Sequence, residues 1–119
     1  MTGVVLDSPD ARELAAFYRR LLGWASKDDE PEWVTLMASA GGAGLSFQSE
    51  PRYRRPTWPS EPDSQQMMVH LDIEVDDLDA AVAYAQACGA VLADYQPQTH
   101  VRVCLDPAGH PFCLYREDD

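Results

Sequence analysis

The sequence repeats one order of secondary-structure patterns, and this repeat limits the possible folds more than any other feature. A strand pattern at Gly3–Asp7 precedes a helical apolar stripe, and three further strand patterns follow it. About 67 residues later the same order returns, so that Leu6 aligns with Ile73. Half of this chain is too small to bury a sheet alone, so the halves must pack together or swap between chains. The repeat therefore predicts an α+β fold of two tandem βαβββ modules.

Both helical stripes are bounded by residues that are typical of helix ends. In the first, Ser8 can cap the helix, with Pro9 at the first helical position, and Gly23 can end it. In the second, Asp77 can cap the helix and Gly89 can end it. Each helix carries one apolar stripe, so we expect it to cover one face of a four-stranded sheet.

The other strands are read from short runs of apolar and alternating residues. They are predicted at 24–27, 33–37, 44–48, 67–75, 91–93, 101–105 and 112–115. Asp106–Gly109 is a turn signature that joins the last two strands into a hairpin. The predicted organisation is a single domain, 1–119, with a first module at 1–48, a linker at 49–66 and a second module at 67–119.

The linker departs in composition from the rest of the chain. It holds four prolines and three arginines, together with Tyr53 and Trp58. One interpretation is a solvated linker whose aromatic side chains rest on the surface. The other is a flap over a pocket, and the sequence leaves both open.

Charge and cysteine content exclude several classes of protein. Nine Lys and Arg residues against twenty Asp and Glu residues give a net charge of −11. Binding to nucleic acid or to an anionic membrane needs the opposite sign, so neither is expected as a partner. Three cysteines without C-x-x-C spacing favour neither a disulfide framework nor a structural zinc site. No apolar run has the length of a membrane span, and we expect a cytoplasmic protein.

Three motifs in order resemble one known family. They are LDSPDARELAAFYRRLLGW, HLDIEVDDLDAAVAYAQACGA and LDPAGHPFCLY. Together they resemble the glyoxalase/bleomycin-resistance/dioxygenase family, also called the vicinal oxygen chelate superfamily. The resemblance implies paired modules whose curled mixed sheets surround a cup. It also implies a small-molecule ligand, either chelated by a divalent metal or sequestered without one, and a homodimer.

The resemblance implies four positions for metal ligands, on the first and last strands of each module. These positions hold Gly3, Ser46, His70 and Cys113, and only the last two offer strong donors. A catalytic zinc ion needs about three protein ligands. We therefore expect no cofactor and no complete metal site, with a divalent metal as the less favoured alternative.

Two acidic residues could complete such a site. Asp72 and Glu74 share the strand face of His70, at distances of two and four residues. From that spacing we expect them to lie lower in the cup, where they could contribute little.

His70 is the favoured catalytic candidate, as an acid or base or as a ligand. The ordinary alternative is a histidine satisfied by neighbouring hydrogen bonds. Cys113 lies among apolar residues that should raise the pKa of its thiol, which disfavours a nucleophile. We expect His110 to be solvent-facing at the pocket rim. The predicted ligand-binding residues are Ser46, His70, Cys113, Trp33 and Phe47.

Three functional hypotheses follow. The first is a glyoxalase-like protein that binds a small molecule in the cup without a complete metal site. The second is an enzyme of the lyase, isomerase or dioxygenase type that uses His70 with or without a metal. The third is a structural or regulatory dimer that catalyses nothing.

Overall fold

Both halves of the chain contain the predicted order of elements. The structure is a computed structural model that describes residues 1–117. The first half contains β1 (Gly3–Ser8), α1 (Ala11–Leu22), β2 (Ala25–Glu30), β3 (Trp33–Met37) and β4 (Gly44–Ser49). The second contains β5 (Leu71–Glu74), α2 (Leu78–Cys88), β6 (Val91–Leu92), β7 (Val101–Leu105) and β8 (Pro111–Tyr115). The chain divides into two compact units, residues 1–53 and the residues from 54 onward.

The two units have the same sheet topology and the same register. The strand order is β1-β4-β3-β2 in one four-stranded sheet and β5-β8-β7-β6 in the other. In each sheet the first two of these strands are parallel and the other pairs are antiparallel. Gly3 lies opposite Gly44 and Leu71 lies opposite Phe112, so partners are 41 residues apart in both units. The predicted fold of two tandem βαβββ modules is confirmed.

Alternation along the strands puts the core of the first unit between its sheet and α1. Val34 and Phe47 are fully buried on this side. The ring of Tyr18 in α1 stacks on Phe47 at a centroid distance of 5.6 Å. Burial of each such side chain contributes about 1.5–3 kcal/mol. The intervening residues of each strand point to the opposite face of the sheet, which α1 leaves open.

The second unit follows the same plan with smaller helix residues. Phe112 and Leu114 of β8 and Cys104 of β7 are buried, while Ala85 and Cys88 form the buried part of α2. The residues that alternate with them on β7 and β8 face away from α2. No disulfide links the three cysteines, all of which lie within residues 1–117.

The predicted cap of α1 is wrong. The helix begins two residues later than expected, with Asp10 as its N-cap, and the Asp10 carboxylate accepts a hydrogen bond from the backbone N–H of Glu13. Ser8 instead ends β1, where its hydroxyl accepts from the N–H of Asp10 at 3.2 Å. Asp77 caps α2 as predicted, and the repeat aligns it with Asp10. Gly23 ends α1 in the left-handed conformation, at φ 70°.

Every predicted strand is present, but β5 and β6 are shorter than predicted, and β2 extends to Glu30 beyond the predicted 24–27. β3 and β7 have the predicted bounds, whereas β5 covers only 71–74 of the predicted 67–75. His70 therefore lies immediately before β5. The register of β5 with β8 would place His70 beside Pro111, which has no backbone N–H to extend the ladder.

The irregular segment that opens the second unit, from residue 54, is held against the rest of that unit by hydrogen bonds. The Arg55 guanidinium donates to the carbonyl of Pro107 at 3.1 Å, and the Trp58 indole N–H donates to the carbonyl of Tyr95 at 3.1 Å. The N–H of Thr57 donates to the carbonyl of Gln65 at 2.9 Å, which closes the segment into a loop. None of the helices in residues 1–117 is long and apolar enough to cross a bilayer.

The corrected cap can be tested directly. Asp10→Ala removes the acceptor for the N–H of Glu13 and should lower the free energy of unfolding by about 1 kcal/mol. Asp7→Ala changes the charge equally at an exposed strand position outside any cap, and should change stability by less than about 0.5 kcal/mol. Denaturant unfolding followed by circular dichroism measures both. Equal losses in the two variants would contradict the assignment of the cap.

Candidate functional site

A cavity of about 160 Å³ opens on the face of the second sheet that α2 does not cover. Three segments form it: the stretch before β5, the loop before β7, and the outward residues of β7 and β8. Its walls are mostly apolar, with His70 and Gln98 as polar members. They are made by Trp58, Met67, His70, Pro97, Gln98, Val101, Val103, Pro111 and Cys113. Such a concave apolar surface with a few polar groups is typical of a small-molecule site.

Gln96 and Trp58 position two of these walls. The Gln96 side-chain oxygen accepts from the N–H of Val103 at 2.8 Å, and its nitrogen donates to the carbonyls of Val103 and Ala93. This fastens the loop before β7 to the sheet. The Trp58 ring packs against Tyr95 at a centroid distance of 5.9 Å, in addition to its indole hydrogen bond. Trp58 also lines one wall of the cavity.

His70 and Cys113 line one end of the cavity, and Asp72 lies next to both of them to complete a cluster of three side chains. The Nε2 atom of His70 lies 3.2 Å from Oδ1 of Asp72. Asp72 on β5 and Cys113 on β8 are direct neighbours across the parallel pair. One donor atom from each residue can be chosen so that all three lie within 4.8 Å of one another. The structure thus brings together the predicted pair His70 and Cys113, and adds Asp72.

The position of Asp72 corrects an expectation. Its carboxylate does not lie beyond reach lower on the sheet, but contacts His70 directly. His70 lies immediately before β5, two residues from Asp72. His70 and Asp72 are both partly exposed, with 39% and 60% of their side chains accessible.

The Cys113 thiol is protonated at neutral pH. Burial and the neighbouring Asp72 carboxylate raise its pKa to about 11, because both disfavour the thiolate. The predicted direction is confirmed, with the charge of Asp72 as a second cause. A thiol of this kind is a weak nucleophile.

The first unit carries its predicted residues on the equivalent face. A depression of about 530 Å³ is lined there by Gly3, Trp33 and Ser46, among others. Ser46 is buried, and its hydroxyl lies 3.1 Å from the hydroxyl of Thr35, with which it shares a hydrogen bond. Gly3 and Ser46 offer no imidazole, carboxylate or thiolate.

Two predicted residues are elsewhere. Phe47 is a core residue and does not line this depression, because it follows Ser46 directly and neighbours on a strand face opposite sides. The prediction that Phe47 binds a ligand is therefore wrong.

His110 is not solvent-facing, since its Nδ1 lies 2.8 Å from a carboxylate oxygen of the fully buried Asp106 and its side chain is 15% exposed. That carboxylate holds the β7–β8 turn by also accepting backbone N–H groups.

The sequence carries a weak signal for the rest of the cavity. Met67, Pro97 and Gln98 lie in irregular segments, where no periodicity indicates a direction for the side chain. One signal could have indicated Asp72. The repeat aligns Asp72 with Val5 and Cys113 with Ser46. Val5 and Ser46 are direct neighbours across the parallel strands of the first unit, as Asp72 and Cys113 are in the second.

The resemblance implies a divalent metal as one alternative, so the donor atoms in the structure can be compared with the ligands that such an ion needs. The four positions implied by the resemblance contain two strong donors, His70 and Cys113, so that set does not suffice. With Asp72, the second unit alone offers nitrogen, oxygen and sulfur donors, which is the chemistry that zinc accepts.

Comparison with known proteins places this chain in a family. Residues 3–115 match the family described as the glyoxalase-like domain, and the chain belongs to that family. No curated protein sequence matches the chain significantly.

Solved structures share the fold. A glyoxalase/bleomycin resistance protein/dioxygenase family enzyme from Burkholderia phytofirmans has a TM-score of 0.74 and 21% identity, over 97% of this chain and 96% of that chain. The fosfomycin resistance protein from Mesorhizobium loti has a TM-score of 0.70 and 9% identity, over 99% and 92%. An antibiotic binding protein from a Streptomyces species has a TM-score of 0.60 and 18% identity, over 99% and 97%.

The raised pKa of Cys113 predicts slow alkylation in metal-free protein. At pH 8 iodoacetamide should modify Cys113 about 100-fold more slowly than an exposed cysteine, with the rate rising toward pH 11. Asp72→Asn removes the neighbouring negative charge, lowers the pKa and should speed the reaction. Glu74→Gln, on the same strand face, should leave it unchanged. Peptide mapping by mass spectrometry measures each rate, and equal rates in both variants would contradict the role of Asp72.

Proposed function

We propose that this protein binds a small, largely apolar molecule in the second-unit cavity. The observation that carries the proposal is the cavity itself, whose largely apolar walls lie beside the side chains of His70 and Cys113. Burial of apolar ligand surface favours binding by about 25 cal/mol per Å². The indole of Trp58 offers a flat surface for a ring, which favours a planar ligand.

The polar side chains at one end of the cavity can orient a bound ligand. His70 and Cys113 line the cavity, so a ligand hydroxyl, enol or carbonyl can exchange hydrogen bonds with them. The cavity lining contains no Lys or Arg, which disfavours a phosphorylated or polyanionic ligand. The volume of about 160 Å³ favours a single-ring compound over a drug-sized one.

The relatives agree with a small-molecule ligand. One similar structure is described as an antibiotic binding protein and another as a fosfomycin resistance protein. We propose that ligand binding in this chain needs no metal shared between the modules, because Gly3 and Ser46 contribute no strong donor.

An enzymatic role is the second candidate. The observation that favours it is the contact between Nε2 of His70 and the Asp72 carboxylate at 3.2 Å, beside the cavity. A carboxylate can orient an imidazole and stabilise its protonated form, which prepares it for acid–base chemistry. His70→Gln should then lower turnover far more than it weakens ligand binding, because glutamine can still form hydrogen bonds but cannot take up a proton.

We further propose that the protein is a cytoplasmic homodimer. β1 and β5 are edge strands of their sheets, and an unpaired edge favours pairing with another chain. The cysteines, none of them joined in a disulfide within residues 1–117, suit a reducing compartment. Analytical ultracentrifugation of the full chain tests the dimer, and a monomer at micromolar concentration would contradict it.

Filling the cavity should abolish binding. Val101→Trp places an indole where Val101 now lines the cavity, whereas Val91→Trp makes the same change at an exposed position of β6 outside it. A panel of single-ring aromatic and heteroaromatic compounds is screened by thermal unfolding in EDTA. Compounds that bind the native state should raise the melting temperature of the natural sequence and of Val91→Trp by several degrees, but not that of Val101→Trp. No response from any compound, or equal responses in both variants, would contradict the proposal.

A further inference from the structure

We propose that residues 57–67 form a lid on the second-unit cavity, held closed by Trp58 and positioned by Arg55. The inference rests on the proposed function, because a lid controls ligand entry only where a ligand uses the cavity. The lid lies wholly in the second unit, in the proline-rich segment outside the three motifs that carry the family resemblance.

The first argument is that one closed loop carries two walls of the cavity. The backbone N–H and the hydroxyl of Thr57 both donate to the carbonyl of Gln65, at 2.9 and 3.2 Å, and so bring the ends of the loop together. Trp58 and Met67 lie beside this closure, and both line the cavity. The loop also contains two prolines, whose fixed φ angles restrict its internal flexing. Movement of the loop as one body therefore displaces both walls at once.

The second argument is the way in which the loop is attached to the rest of the unit. The Trp58 indole N–H donates to the carbonyl of Tyr95 at 3.1 Å, and the two rings pack with their centroids 5.9 Å apart. This contact lies at the surface, since Tyr95 is 51% exposed. Residues 59–63 are all exposed as well. Segments with little burial and exposed hydrogen bonds open at a lower free energy than the core of a domain, so the Trp58 contact can open while the sheet stays folded.

The third argument concerns Arg55, which lies just before the loop. Its side chain covers the β7–β8 turn so closely that a Cβ atom on Gly109 would lie 2.6 Å from Nε of Arg55. Its guanidinium also donates to the carbonyl of Pro107 at 3.1 Å. The buried Asp106 carboxylate holds this turn in place by accepting two backbone N–H groups. Arg55 therefore fixes the base of the lid on a rigid turn, and the contact at Tyr95 is the one that opens.

Hydrogen exchange of the full chain, measured by NMR, tests the lid without any ligand. The Trp58 indole N–H reports the contact between the lid and the unit, whereas the Thr57 amide reports the closure inside the loop. Arg55→Met keeps an unbranched side chain over the turn but removes the guanidinium donor. It should speed indole exchange about fivefold, the equilibrium factor for one hydrogen bond of ordinary strength. The Thr57 amide should keep its rate, because the loop moves as one body.

Arg54→Met is the matched control, since it removes the same charge at an exposed neighbouring position and should leave both exchange rates unchanged. Equal indole rates in the two variants would overturn the lid. Equal acceleration of the Thr57 amide and the indole in Arg55→Met would also overturn it, because the loop would then melt instead of opening. Indole exchange with the denaturant dependence of global unfolding would show that the loop is a fixed wall, which is equally fatal.

A last readout separates the lid from the proposed function. Any compound of the aromatic panel that raises the melting temperature should also slow exchange of the Trp58 indole N–H, because a ligand in the cavity packs on that ring. The indole of Trp24, in the first unit, should not respond. Binding without slower exchange at Trp58 would overturn the lid and leave ligand binding standing. If no compound binds, the proposed function fails, and the exchange rates of the two variants still decide whether the loop opens.

Discussion

The parallel pairing of the first and last strands of each module is the constraint on which the rest of the structure depends. β1 pairs with β4 and β5 pairs with β8, each across a separation of 41 residues. Once this pairing is set, alternation assigns every second side chain to the helix and the others to the open face. Phe47 and Phe112 therefore belong to the cores, while Ser46 and Cys113 belong to the opposite faces.

The two units keep one backbone plan and differ on the open face. In the first unit that face presents Ser46, hydrogen-bonded to Thr35, within a broad depression. In the second it presents the polar cluster at the end of an apolar cavity. Side chains on this face do not hold the helix to the sheet, so they are open to change without loss of the core. This separation of packing from chemistry is why the family fold alone leaves the ligand open.

Much of the fold follows from local patterns. The bounds of β3 and β7, the αL glycine at Gly23 and the cap at Asp77 all depend on nearby residues, and all were predictable. The cap of α1 was not, because Ser8, Pro9 and Asp10 offer competing local choices. Phe47 was wrongly predicted to bind a ligand. It follows the candidate position Ser46 directly on the strand, so by alternation its side chain must lie on the opposite face of the sheet.

The amino-acid sequence by itself determined the order of elements and their internal repeat, and the family resemblance of its motifs indicated His70 and Cys113 as a pair in the second module. Only the tertiary structure decided which other groups join them. The Trp58 indole donates to the carbonyl of Tyr95, 37 residues away, and Gln96 bonds to the backbone of Val103, seven residues away. No periodic pattern encodes either contact. Asp72 meets Cys113 because two strands far apart in sequence lie side by side, and that proximity exists only once the sheet has formed.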